Sequence, residues 1–154
     1  MTKPNSFFDK PATRQQFDIT ANIDGGARGN PGPAAYGVVV RNARGEVVKE
    51  WGEYLGIQTN NVAEYCGLVA VLEYALRANH GSLRVLSDSE LLVRQMLGAY
   101  KVKNPALKTL YDRARSLVRK LEQFSIEHVL RERNRDADRL VNQTLDTHER
   151  GRPR

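Results

Sequence analysis

The chain has one cysteine, one tryptophan and two methionines in 154 residues, and the first of these shortages excludes two kinds of architecture. Cys66 alone can close no internal disulfide, and it cannot supply a zinc site built on several cysteines. Within an expected helix it reads as a small hydrophobe. Long apolar runs are also missing. None approaches the roughly 18 residues that cross a bilayer, so no membrane partner is expected. Residues 1–14 are polar and lack the apolar core of a secretory signal. A reducing, cytoplasmic setting is the expectation, with the chain acting as a monomer. What the sequence does have is a formal net charge of +6. That excess tilts the reading toward a polyanionic partner, because neutralising phosphates releases condensed counterions.

The organisation suits one domain over 17–148, between a flexible tail over 1–16 and a basic tail over 149–154. Phe17, Ile19, Ala21 and Ile23 alternate with Asp18, Thr20, Asn22 and Asp24, which predicts a strand. Gly25, Gly26 and the Gly/Pro-rich run through Pro33 predict a stiff turn. Strands are expected over 36–41 and 46–55, giving an antiparallel meander. The period then lengthens. Leu68, Leu72 and Leu76 predict a helix over 61–79. A short strand over 83–87, a helix over 89–97, a helix over 105–122, a strand over 124–130 and a last helix complete the chain. The fold class expected from this order is α/β, a mixed five-stranded sheet with helices on both faces.

Four carboxylates stand at element ends. Asp24 ends the first strand and Asp88 follows the fourth; Glu64 and Asp138 lie in the first turns of two helices. Each has an ordinary explanation. Asp24 suits a turn, Glu64 a capping box with Asn61, Asp88 a helix cap, and Asp138 the helix dipole, which Asp136 also suits. Jointly they imply more, because such ends can converge on one edge of an α/β sheet. Clustered carboxylates are costly unless cations neutralise them. Hard divalent ions such as Mg2+ do so with oxygen ligands, and a pair of them can clamp an in-line phosphoryl displacement.

Four segments carry a resemblance. They are Ile23-Asp24-Gly25-Gly26-Ala27-Arg28-Gly29-Asn30-Pro31-Gly32-Pro33, Thr59-Asn60-Asn61-Val62-Ala63-Glu64, Ser87-Asp88-Ser89, and Asn134-Arg135-Asp136-Ala137-Asp138-Arg139-Leu140. In this order and spacing the sequence resembles the type 1 ribonuclease H family over residues 17–146. The resemblance implies the ribonuclease H-like fold. It also implies an endonuclease that hydrolyses the RNA strand of RNA–DNA hybrids and leaves 5′-phosphate and 3′-hydroxyl ends. Asp24, Glu64, Asp88 and Asp138 are implied as metal ligands and catalytic carboxylates for two Mg2+ ions, with Mn2+ as a substitute. Asp24 would bridge the ions, and the pattern Asn-x-x-Ala-Asp-x-Leu selects Asp138 over Asp136. Gly25, Asn30, Thr59, Asn60, Asn61 and Ser89 match positions that touch the hybrid. Glycine admits close backbone approach, and Asn or Ser can bond 2′-hydroxyls. Double-stranded RNA is a conceivable second partner.

Two departures mark a compact, archaeal-like form of that family. The stretch over 129–134 has no histidine and no glycine, where many members carry a loop histidine. Arg131 stands there and is expected to hold a phosphate; His128 reads as a strand residue and His148 as part of a frayed end. The segment over 98–105 is too short for the family's basic handle, leaving Lys101, Lys103 and Lys108 as a reduced version. The competing functions are a non-catalytic hybrid-binding module and another nuclease of the same fold.

Overall fold

A computed structural model of the chain describes residues 16–151. The tail expected over 1–16 lies outside them except for Gln16. The elements run β1 (Ile19–Ala27), β2 (Gly32–Asn42), β3 (Val47–Gln58), α1 (Asn60–Arg77), β4 (Ser82–Ser87), α2 (Glu90–Met96), α3 (Pro105–Val118), β5 (Gln123–His128) and α4 (Arg135–Arg150). A 3₁₀ turn, Arg131–Arg133, precedes α4. The five strands form one sheet in the order β3-β2-β1-β4-β5. β1, β2 and β3 are an antiparallel meander, while β4 and β5 run parallel to β1.

Helices cover both faces, as the element order predicts. Tyr65, Leu68 and Leu72 of α1 share one core with Ile19 and Ile23 of β1, Val38 of β2 and Leu83 and Val85 of β4. Each such fully buried side chain contributes about 1.5–3 kcal/mol. α4 lies on the opposite face, where Val141 and Leu145 pack on Ala35. Its approach depends on Gly37, where an added Cβ would overlap the Ala137 carbonyl.

The meander differs from expectation at its first turn. β1 continues through Gly25 and Gly26, which pair with Tyr36 and Ala35, so the turn shrinks to residues 28–31. Glycine in a strand marks close backbone approach as readily as a turn, and here α1 packs directly on Gly25. β2 and β3 are correspondingly longer than predicted. α3 stops at Val118, because residues 119–122 tighten into a turn that brings the Glu122 and Gln123 amides to the Gly81 carbonyl. β5 ends at His128 rather than residue 130. Its partner β4 has six residues, so the ladder runs out at Ser87 and Leu130 is left 59% exposed. α4 reaches Arg150 and takes in Glu149 and Arg150, two residues read as tail. His148 is not frayed, since its ring stacks on Tyr54 at 3.7 Å between centroids.

Candidate active site

β1 and β4 are parallel neighbours with Ile23 opposite Ser87. The next residues, Asp24 and Asp88, therefore lie side by side just past the end of the β1–β4 ladder, Asp24 still paired to β2. α1 begins at that end too. Its cap is Thr59, whose Oγ1 accepts a hydrogen bond from the Val62 amide at 3.2 Å. The expected Asn61–Glu64 capping box does not form. Glu64 instead turns inward, 7% exposed, and its Oε1 accepts from the Gly25 amide at 2.9 Å. Its second oxygen is buried with no partner among the described residues. Asp88 is not a cap either: Ser89 caps α2, with Oγ accepting from the Leu92 amide at 3.2 Å. Both carboxylates are thus left over from helix capping.

One oxygen each from Asp24, Glu64 and Asp88 fall within 4.8 Å of one another. Asp138, in the first turn of α4, lines the same groove, close enough for its charge to act on the Asp24 carboxyl. Asp136 faces elsewhere and pairs with Arg41 at 2.8 Å and with Arg139 at 3.6 Å. Of the two aspartates, Asp138 lines the groove with the other three acids.

The electrostatics follow from burial and crowding. Burial, then the Asp88 and Asp138 charges, push the Asp24 carboxyl up to about 8. Burial followed by the Asp24 charge holds Glu64 well above the usual carboxylate range. Asp88 is raised by burial, and the Arg131 cation opposes that rise. Four acids in one groove with a buried oxygen lacking a partner fit hard divalent cations. Such ions bind several carboxylates and relieve their repulsion. Asp24, Glu64 and Asp88 could hold one ion, and Asp24 with Asp138 a second.

Of the residues expected to touch substrate, Gly25, Asn60, Asn61, Ser89 and Arg131 line this groove. Asn30 and Thr59 have structural roles. Asn30 Oδ1 accepts from the Asn60 amide at 2.9 Å, and Asn60 Oδ1 accepts from the Ala27 amide at 2.8 Å, stitching the 28–31 turn to α1. Gly25 is pinned against the Ala63–Glu64 peptide, where a Cβ would overlap backbone. Gly25→Ala is therefore expected to cost about 1–3 kcal/mol or more, as overpacking does. Chemical denaturation measures this, and a midpoint equal to the parent's contradicts it. Lys108 pairs with Asp112 at 2.8 Å along α3.

Arg28, which lines the groove, and Asn134, which lies outside its lining, were not singled out from the sequence. Arg28 reaches α4, bonding Asp146 at 2.8 Å, Glu149 at 2.9 Å and Asn142 at 3.2 Å. Asn134, 1% exposed, donates to the Ile23 carbonyl at 2.8 Å beneath Asp24. The signal for it was its place at the head of the fourth motif.

A family model described as reverse transcriptase-like matches residues 22–144. The bifunctional protein Rv2228c of Mycobacterium tuberculosis is 46% identical over 129 residues, 83% of this chain and 35% of that protein. Ribonuclease HI of Halobacterium salinarum is 41% identical over 128 residues, 83% of this chain and 64% of that protein. The chain thus spans about a third and just under two thirds of these relatives. The solved N-terminal RNase H domain of Rv2228c superposes with a TM-score of 0.83 at 44% identity, covering 87% of this chain and 97% of that one. LC11-RNase H1 in complex with an RNA/DNA hybrid gives 0.80 at 41%, covering 84% and 98%. With the match running through most of the domain and all four acidic positions inside or beside the groove, the chain belongs to the ribonuclease H family, alongside its type 1 members.

Proposed function

We propose that this protein is a hybrid-specific endonuclease. It hydrolyses the RNA strand of RNA–DNA hybrids with two Mg2+ ions, for which Mn2+ can substitute, and leaves 5′-phosphate and 3′-hydroxyl ends. The observation that carries this reading is the convergence of Asp24, Glu64 and Asp88 around a buried, unpartnered Glu64 oxygen. The hybrid held by LC11-RNase H1, at 41% identity, supports the substrate class. The protein is taken to act as a monomer in the cytoplasm.

Bound at these acids, two divalent ions would supply Lewis acidity at the phosphate and a clamp on its attacking and leaving oxygens. Asp24 would contribute to both ion sites, Glu64 and Asp88 to one of them, and Asp138 to the other. The Gly25 backbone and the side chains of Asn60, Asn61 and Ser89 present a narrow polar rim that suits the RNA minor groove and its 2′-hydroxyls. The deoxy strand offers no such hydroxyl, so this rim selects RNA. Asn30 and Thr59 stand behind it and hold its shape, and can meet a DNA phosphate at the groove's edge.

Arg131 holds the scissile or a neighbouring phosphate through paired hydrogen bonds. Glu127, an ordinary surface partner for it, is already taken by Arg84 at 2.7 Å. Arginine keeps its proton near neutrality, so this contribution is electrostatic. Arg131→Ala is expected to lower turnover roughly tenfold, with Arg131→Lys intermediate and thermal stability little changed. Steady-state cleavage of hybrid at saturating Mg2+ reads this, and parental turnover in Arg131→Ala contradicts it.

Asp138→Asn should cripple cleavage far more than Asp136→Asn, since Asp136 is held by Arg41 outside the groove. The reverse ranking contradicts the ligand set. Incubation with labelled hybrid, double-stranded RNA, double-stranded DNA and a four-way junction tests the function itself. Cleavage of hybrid well ahead of the other three is expected. Binding without cleavage would instead identify a hybrid-binding module.

A further inference from the structure

A chain of polar side chains runs from the protein surface to the backbone beneath the acidic groove. Arg41, partly exposed on β2 and paired with Asp136, donates from Nη1 to Asn22 Oδ1 at 3.2 Å. Asn22 Nδ2 donates to Asn134 Oδ1 at 2.9 Å, with the Arg133 carbonyl also near at 3.5 Å. Asn134 Nδ2 donates to the Ile23 carbonyl at 2.8 Å. Both asparagines are buried, Asn22 8% and Asn134 1% exposed.

The sense of this chain is set at both ends. Arginine can only donate, and a backbone carbonyl can only accept. Arg41 therefore faces the oxygen of Asn22, which turns the Asn22 nitrogen toward Asn134. The Ile23 carbonyl requires the Asn134 nitrogen, which leaves the Asn134 oxygen for Asn22. The two requirements agree, so neither amide can flip without placing two like groups together in a buried site.

Asn134 also sits where the candidate ligands meet. Its side chain bonds the peptide that joins Ile23 to Asp24. Its own carbonyl accepts the Asp138 amide at 3.1 Å, the first helical bond of α4. One residue thus ties the backbone of Asp24 to the backbone of Asp138. Nothing in the proposed chemistry uses Asn22, Asn134 or Arg41 directly.

We infer that Asn134 is a positioning residue, oriented by Asn22 and Arg41, that sets the separation of Asp24 and Asp138 for the two ions. The inference rests on the two-metal reading above. Residues that support metal ligands in this way typically change metal affinity or activity about 10–100-fold when replaced.

The decisive variant is Asn22→Asp. The introduced carboxylate keeps the size of the side chain and its bond to Arg41, so the fold is retained. It cannot donate to Asn134, so the Asn134 oxygen faces either that carboxylate or, if the amide turns, the Ile23 carbonyl, and one bond of the chain is lost either way. Mn2+ affinity of the metal-stripped protein is read by titration calorimetry, beside kcat and KM on hybrid. Mn2+ affinity and kcat should each fall about tenfold or more, with KM for hybrid within about twofold of the parent. Parental Mn2+ affinity and kcat in the folded variant overturn the inference, as does a change confined to KM. If Asn22→Asp does not fold, Arg41→Met, at the partly exposed end, decides the question. A fall in Mn2+ affinity supports the relay, and an unchanged affinity overturns it. A parent that neither binds Mn2+ nor cuts hybrid defeats the two-metal reading itself. A parent that does both beside an unaffected variant defeats the relay alone.

Discussion

Asp24→Asn is expected to leave a folded protein that binds hybrid and does not cut it. Cleavage should fall by roughly 10³-fold or more, since the lost charge is asked to stabilise a reacting phosphate through both ions. The amide is close to isosteric, so hybrid affinity, carried by the rim and by basic surface, should stay near the parent's. The same substitution should also stabilise the metal-free protein at alkaline pH. Asp24 is buried beside Asp88 and Asp138, and burial first, then those two charges, make its ionisation unfavourable in the folded state. Removing the charge removes that repulsion. Single-turnover cleavage, hybrid binding and melting with chelator together check this. Near-normal turnover with Mg2+ contradicts the proposed site.

The second expected result concerns pH. The folded Asp24 carboxyl is raised from the ordinary 3.8 to about 8, and Glu64 and Asp88 are raised as well. A raised carboxyl binds protons more tightly folded than unfolded. Its contribution is fully present below the ordinary carboxylate range and is lost as pH rises through the folded value. Metal-free protein should therefore lose stability steadily between about pH 4 and pH 8 from these groups. Divalent ions reverse the trend, because they bind the charged form and compete with protons. Saturation to about 100 times the dissociation constant adds about 2.7 kcal/mol, which for a domain of this size raises Tm by roughly 6–10 °C. Melting curves with chelator and with Mg2+, at about pH 5 and about pH 8, measure the effect. The Mg2+ increment should be much larger at the alkaline pH. Equal increments at both contradict a site made of these acids.

Much of this arrangement was legible in the sequence because the relevant signals are local. The alternation through Ile23 placed Asp24 on β1, and the apolar run before Ser87 placed Asp88 just past β4; β1 runs on to Ala27, so Asp24 ends the β1–β4 ladder and not the strand. The helical period after Asn61 located Glu64 in a first turn. Capping assignments were less legible. Thr59, Asn61 and Asp88 all have cap chemistry, and only the packing of α1 on Gly25 draws Glu64 inward and leaves Thr59 as the cap. The extension of β1 past Gly26 was hidden for a related reason. Glycine marks both turns and close approaches, and the approaching backbone comes from a helix 39 residues away, at Glu64. Asn22 and Asn134 are 112 residues apart. Their pairing depends on α4 starting directly over β1, which no local pattern reports.

Metal-dependent hydrolysis of one strand by this groove is open to direct test. A hybrid labelled separately on its RNA and DNA strands, cut under single-turnover conditions, tests it most directly when the product ends are identified. RNA fragments with 5′-phosphate and 3′-hydroxyl ends are expected in Mg2+, with an intact DNA strand and no products with chelator. Cutting of the DNA strand, 3′-phosphate ends, or undiminished cleavage in chelator would contradict it.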